Sequence, residues 1–510
     1  MKRARFDKLD TGWNADLPDV DLPPGAWTDS RNVKYRDGAI EKCPGYSQAL
    51  GNLSVTATWA MGLSDQINSF WAYGAHTVMY ATDGTTHTTI NGTVTLSATD
   101  GYVGGMFNGF MVVTEGTNAP YSWSPSLAND LVTLTAWPAI TCEVIRPWRD
   151  FLVALRIREG GNLNPRLMRW SDAAQKGALP GSWDYADPTN QSGIKEFGET
   201  QDALIDCAPL RDSLIVYKQN VTWVADYVGG ADVLGFRQLF GQSGALTQDC
   251  IGVLPTGHVV LTNDDLILHD GNSQQSLIDR RARRWLFNRI DTTNYKKSFI
   301  TVDPRRREVI IAFPEQGLTE CSLALVWCWA DNTLHPIDLG GRIACSAVGV
   351  IGGTATTFDT DTPTFDAATD VFDTETISPF KQNILLFDAL SPKAYQVGVG
   401  ETFNGTSMAC YAERRGHALT EDMGAIKRLW RLWPKLIGTV GDTFDFWISV
   451  RENLLAPLAY VGPYRFTLGT DTWIDLRIDG RIVDVRVQYE GAQSFRFHGF
   501  HVDYEDSGAR

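Results

Sequence analysis

The chain has 510 residues, enough for two or more domains or for one large repeat architecture. Hydrophobic residues make up 43% and charged residues 21%, which excludes intrinsic disorder over most of the length. No apolar run approaches the roughly 18–20 residues of a membrane helix, and the net charge of -15 counts against a protein that grips nucleic acid over its whole surface.

At the N-terminus, Lys2, Arg3 and Arg5 are followed by no apolar stretch, so no signal peptide is expected and synthesis is expected in the cytoplasm. Residues 1–50 read as an extended arm with a tight turn at Asp37-Gly38, whose strands are expected to join the first blade. From there helical periodicity is scarce. A turn signal, a short apolar run and a second strand rich in Trp and Tyr recur instead. The pairs are 69–73 with 77–80, 110–113 with 121–123, 151–155 with 167–170, 214–217 with 222–224, 259–261 with 266–268, and 309–313 with 323–327. Spaced by roughly 40–60 residues, they predict an all-β fold, a β-propeller of about six blades over 51–400. Their continuous apolar runs fit strands covered on both faces.

Two segments interrupt the pattern. Residues 171–200, with Pro180-Gly181 and Asp187-Pro188, read as an insertion between strands. Residues 357–375 carry a short repeat, Phe358-Asp359, Phe365-Asp366 and Phe372-Asp373, seven apart, with the dipeptide again at Phe387-Asp388. One apolar position in seven among Thr and Asp does not make a coiled coil, so a projecting arm staked down by Phe is expected. After residue 400 the strands alternate cleanly, as at 443–450 and 482–489, which predicts a separate antiparallel β-domain over 401–510.

Few motifs promise chemistry. Gly405-Thr406-Ser407-Met408-Ala409 is similar to the nucleophile segment of subtilisin-like proteases, but no His-Gly-Thr-type base segment accompanies it and its flanks read as strand. The acidic repeat lacks the glycine-pinned loop of an EF-hand. The eight cysteines have no paired spacing and mostly sit among apolar neighbours, so they are expected reduced and buried. The eight histidines form no metal-ligand cluster, and no phosphate-binding glycine loop is present. No catalytic, cofactor or metal site is therefore expected. One cluster stands out in an acidic chain: Arg280, Arg281, Arg283 and Arg284, a candidate contact with a neighbouring subunit or with phosphate.

The segment Gly12-Trp13-Asn14, then Leu22-Pro23 through Trp27-Thr28-Asp29-Ser30-Arg31-Asn32-Val33 and Arg36-Asp37-Gly38 to Pro44-Gly45, resembles the opening of tail nozzle proteins of short-tailed phages. These are also called tail tubular or packaged-DNA stabilisation proteins. The Phe-Asp repeat and the closing strands from Gly480 to Arg510 resemble the same group. The resemblance implies a structural virion protein without catalysis, assembled as a homo-oligomer, usually a hexameric ring, below the head-to-tail adaptor. It also implies contacts with tail fibres or a tail tip, and packaged DNA passing through without sequence-specific binding. A channel of net negative charge would repel phosphate. The competing readings are a carbohydrate- or receptor-binding tail protein, which needs exposed aromatics beside carboxylates, and a propeller glycosidase, which needs two carboxylates about 5–9.5 Å apart in a central pocket.

Overall fold

Short apolar runs closed by turn residues build a succession of antiparallel four-stranded sheets. The computed structural model describes residues 1–509 apart from 8, 10, 20, 24, 65–68, 99–100, 352–381, 419–424 and 454–455. The first sheet is Trp59–Ser64, Ser69–Ala75, Val78–Thr82 and His87–Thr89. The next four begin at Val103–Phe107, Ile140–Trp148, Leu204–Leu210 and Ile251–Val253. The first strands of most neighbouring sheets touch one another, so they line a common axis. The chain is a β-propeller with an additional antiparallel β-domain.

The expected six hairpins form the middle strands of blades 1–6. A seventh blade completes the ring. Strand Thr333–Val350 pairs through its first half with Cys321–Cys328 of blade 6 and through its second half with Gln382–Asp388. Lys393–Val397 follows, and Tyr46–Asn52 from the N-terminal region supplies the outermost strand. Phe387-Asp388, read in sequence as a further copy of the dipeptide repeat, is in fact the end of a strand of this blade. The repeat residues Phe358, Asp359, Phe365, Asp366, Phe372 and Asp373 lie outside the described residues. The chain leaves and re-enters the sheet at the paired residues Val350 and Gln382. The loop between Trp170 and Gly193, themselves paired, is the insertion expected within 171–200.

Seven clusters of buried side chains fill the seven joints between blades, the one between blades 5 and 6 running on into the core of the second domain. This explains the continuous apolar runs: Glu308–Phe313 is buried at every position because a blade covers each face. At the closing joint two glycines meet. A Cβ on Gly62 would lie 2.4 Å from the Val348 carbonyl oxygen and 2.6 Å from the Gly349 Cα. Gly62→Ala should therefore pry blade 1 from blade 7 and cost about 1–3 kcal/mol in urea unfolding. A wild-type midpoint would show that this joint has slack.

Polar locks supplement the apolar joints. Buried Tyr217 of blade 4 holds His258 Nδ1 at 2.7 Å and His269 Nε2 at 2.6 Å, both from blade 5. His258 Nε2 lies 2.9 Å from the Pro209 carbonyl oxygen, so it carries the proton. Nδ1 then accepts from the tyrosine hydroxyl, whose oxygen accepts from His269 Nε2–H. Among the described residues the buried His269 Nδ1 has no hydrogen-bond partner. Burial pushes the His258 pKa down to about 4 and that of His269 to about 3, so both are neutral at pH 7.

The second domain is a sandwich. One sheet orders Ile474–Gly480, Ala425–Ile437, Arg496–Ala509, Ala39–Lys42 and Val33–Arg36, with Lys2–Phe6 also on Arg496–Ala509. The other orders Val461–Thr467, Thr443–Arg451, Ile482–Tyr489, Cys410–Ala418 and Asp29–Arg31. The strands Lys2–Phe6, Asp29–Arg31, Val33–Arg36 and Ala39–Lys42 thus join this domain and Tyr46–Asn52 the seventh blade, none of them the first blade, a correction to the sequence expectation. Val33, Tyr35 and Ile40 point into the core that Phe446 and Phe497 share, and that burial outweighs proximity in sequence.

Candidate functional site: the propeller axis and the arginine cluster

The axis is where a propeller usually concentrates its chemistry, and here one side chain ties together the inner strands of adjacent blades. Arg146 sits on the innermost strand of blade 3 between apolar neighbours, in Ile145-Arg146-Pro147. Its Nη1 donates to the Gly104 carbonyl oxygen of blade 2 at 2.8 Å. Its Nε and Nη2 form a fork on Asp206 of blade 4, at 2.9 and 2.6 Å. Nη2 also reaches Asp249, at the entrance to blade 5, at 3.3 Å. Asp249 in turn gives its carbonyl oxygen to the Ile300 amide of blade 6 at 2.7 Å. The thiol of Cys345 on blade 7 is pushed up by burial and then by the Asp249 charge. Blades 2, 3, 4 and 5 therefore meet in one ionic cluster, and the backbone of Asp249 carries it on to blade 6.

Two carboxylates on the axis invite comparison with a glycosidase. Asp206 and Asp249 are, however, both engaged by the same guanidinium nitrogen, which occupies the space between them. Asp249 is reached by water yet enclosed by blades. That enclosure raises its pKa, with Arg146 pulling it down and Asp206 pushing it up. The arrangement neutralises charge and ties blades together. Sequence reasoning missed it, although a lone Arg and a lone Asp inside apolar inner strands were the available signal.

The arginine cluster serves a different joint. After blade 5 the chain turns at Arg280, φ 54°, into the short helix Arg283–Phe287. The Asn14 amide donates to the Arg280 carbonyl oxygen at 2.9 Å, and the Ala15 amide to that of Arg281 at 2.7 Å. The Arg284 amide donates to the Asp16 carboxylate at 2.9 Å, and its guanidinium to the Asp16 carbonyl oxygen. Arg283 pairs with Asp265, and Arg281 donates to the Asn332 carbonyl oxygen at 2.7 Å. Arg281, Arg283 and Arg284 thus work within the chain, clamping Asn14-Ala15-Asp16 of the N-terminal motif. The exposed Arg280 guanidinium has no ion-pair partner among the described residues.

The remaining candidates are quickly placed. The Ser407 hydroxyl donates to the Glu490 carbonyl oxygen at 2.5 Å, a strut between the linker and the sandwich. All eight cysteines are free thiols, seven of them buried. Among the described residues no three His, Cys, Asp or Glu side chains gather as a metal site. Among them, too, no helix is long and apolar enough to cross a membrane.

No family model and no curated protein matches the chain. Solved structures do. A chain from the crystal structure of the mitotic checkpoint complex covers 75% of this chain and 96% of its own length at 8% identity, TM-score 0.39. One from the crystal structure of BBS1N in complex with ARL6DN, soaked with mercury, covers 70% and 96% at 10% identity, TM-score 0.39. The propeller is defined by its own sheet order and closing strand.

Proposed function

We propose that the chain is a structural subunit of the tail nozzle of a short-tailed phage, placed in the virion to line the DNA exit channel and retain packaged DNA until ejection. The observation that carries this is the sequence resemblance at residues 12–46 and 480–510. In support, those two segments are built into one sandwich, where Ile40 pairs with Phe497 and Glu41 with Arg496. The first strands of most neighbouring blades touch one another around the axis, so DNA would run along the centre of a ring of chains and not through a propeller. The net charge of -15 suits such a passage, since no counterion release rewards binding.

The carbohydrate-binding reading asks for exposed aromatics beside carboxylates. Trp433 and Trp473, 5.0 Å apart with Asp503 and Asp475 at their indole nitrogens, meet that in composition. Arg3 and Arg431 each lie 4.9 Å over one of those rings, on faces where a sugar would stack. The nozzle reading is therefore preferred. Negative-stain imaging of the purified protein, with particle mass, tests it: a ring of about six copies with an axial hole is expected, and a compact monomer under all conditions would overturn it.

A further inference from the structure

The chain crosses between its two domains twice, after Lys42 into blade 7 and after Val397 back into the sandwich. The crossings are laced together. The Gly45 amide donates to the Gly400 carbonyl oxygen at 2.9 Å, the Gly398 amide to that of Gly45 at 2.7 Å, and the Tyr46 amide to that of Thr402 at 3.0 Å. Beside them opens a cleft of about 350 Å³, walled by both crossings, by the end of Ala425–Ile437 and by the start of Arg496–Ala509. Its volume falls in the range of small-molecule sites. Nothing in the nozzle reading uses it.

The charges around the cleft fall into two sets. Glu41 is spent, shared between Lys34 at 3.4 Å and Arg496 at 2.5 Å. Lys42 and Glu401 form the second set. The Lys42 side chain is buried; its ammonium donates to the Gly491 carbonyl oxygen at 2.6 Å and lies 5.5 Å from the Tyr489 ring. An ammonium has three donors, so capacity remains. Glu401 Oε2 is enclosed and accepts no hydrogen bond among the described residues. Burial raises the Glu401 pKa and lowers that of Lys42, and the Lys42 charge opposes the rise. The two side chains therefore sense each other, yet among the described residues no ion pair closes the gap between them.

A ligand for this gap must accept from Lys42 and donate to Glu401. Phosphate would bring more negative charge to Glu401, and a simple amine more positive charge to Lys34, Lys42 and Arg496. A sugar hydroxyl meets the hydrogen bonds but leaves both charges uncompensated. Phe495 and Ile437 supply apolar wall. We propose that the cleft binds a free α-amino acid with an apolar side chain, its carboxylate on Lys42, its ammonium on Glu401 and its side chain toward Phe495 and Ile437.

Calorimetric titration of the full chain at pH 7 tests this with leucine as the probe. Three analogues accompany it: 4-methylpentanoate, which lacks the ammonium, 3-methylbutylamine, which lacks the carboxylate, and glucose. Leucine should bind about tenfold or more tighter than each of them, the worth of one hydrogen bond to a charged group. Glu401→Gln should erase the preference for leucine over 4-methylpentanoate. Because Glu401 lies between strands, this variant should melt with the wild type. Should it misfold, the ranking of the four probes on the wild type decides alone. No heat with leucine, an equal response to 4-methylpentanoate or to the amine, tighter binding of glucose, or unchanged leucine affinity in folded Glu401→Gln would overturn the proposal.

Discussion

Arg146→Met should destabilise the folded chain by about 3–5 kcal/mol, the range for removing one partner of a buried ion pair. Asp206 is 4% exposed by its side chain and would be stranded without its guanidinium fork. Asp249 would lose the charge that holds its carboxyl down, and the Gly104 carbonyl oxygen its donor. The cause can be isolated, because a second replacement, Asp206→Leu, removes the stranded charge. The double variant should recover most of the loss, since apolar substitutes for a buried pair are often neutral. Urea unfolding followed by tryptophan fluorescence reads both. A single variant within about 1 kcal/mol of wild type would show that the cluster does not tie the blades.

Acid should act at the joint between blades 4 and 5. His258 and His269 are wholly buried, and burial depresses their pKa values to about 4 and about 3 from 6.5. The unfolded chain takes up these protons as pH falls below about 6.5, whereas the folded chain refuses them until about pH 4. Stability from this source is therefore complete above pH 6.5 and drains as pH falls through that window. His258 alone accounts for about 3 kcal/mol by pH 4. Protonation of its Nδ1 would replace an acceptor for the Tyr217 hydroxyl by a second donor. Unfolding of wild type and His258→Gln at pH 7.5 and pH 4.5 separates this from the carboxylates, because only the difference between the chains belongs to His258. Equal pH dependence in the two would refute the assignment.

The propeller was legible because its physics is local. Each blade needs an apolar hairpin with both faces covered, and six such hairpins stand in the sequence with their turns. The seventh was hidden because its strand Gln382–Asp388 ends in Phe-Asp and blends into the repeat before it, while its outer strand comes from residues 46–52. Long-range pairing of that kind leaves no periodicity to read. The same holds for the N-terminal arm, where Asp37-Gly38 announced a hairpin but not the sheet it joins. The arginine cluster was conspicuous, yet its use depended on Asn14 and Asp16, more than 260 residues away. At the axis a single charge in an apolar strand is a faint signal, and its meaning appears only when neighbouring blades supply the counter-charge.

Closing the last blade with Tyr46–Asn52 also bears on how the chain is made. On the ribosome residues 46–52 emerge early, and their partner Lys393–Val397 emerges some 340 residues later. Throughout that interval an edge with unsatisfied backbone groups waits, and blades 1–6 can stack in order but cannot seal. The sandwich waits longer still, because Lys2–Phe6 pairs with residues 500–504. Neither domain can close until strands several hundred residues further along the chain have been made. Cutting the chain near residue 400 separates no intact unit, since one piece would keep strands that belong to the other.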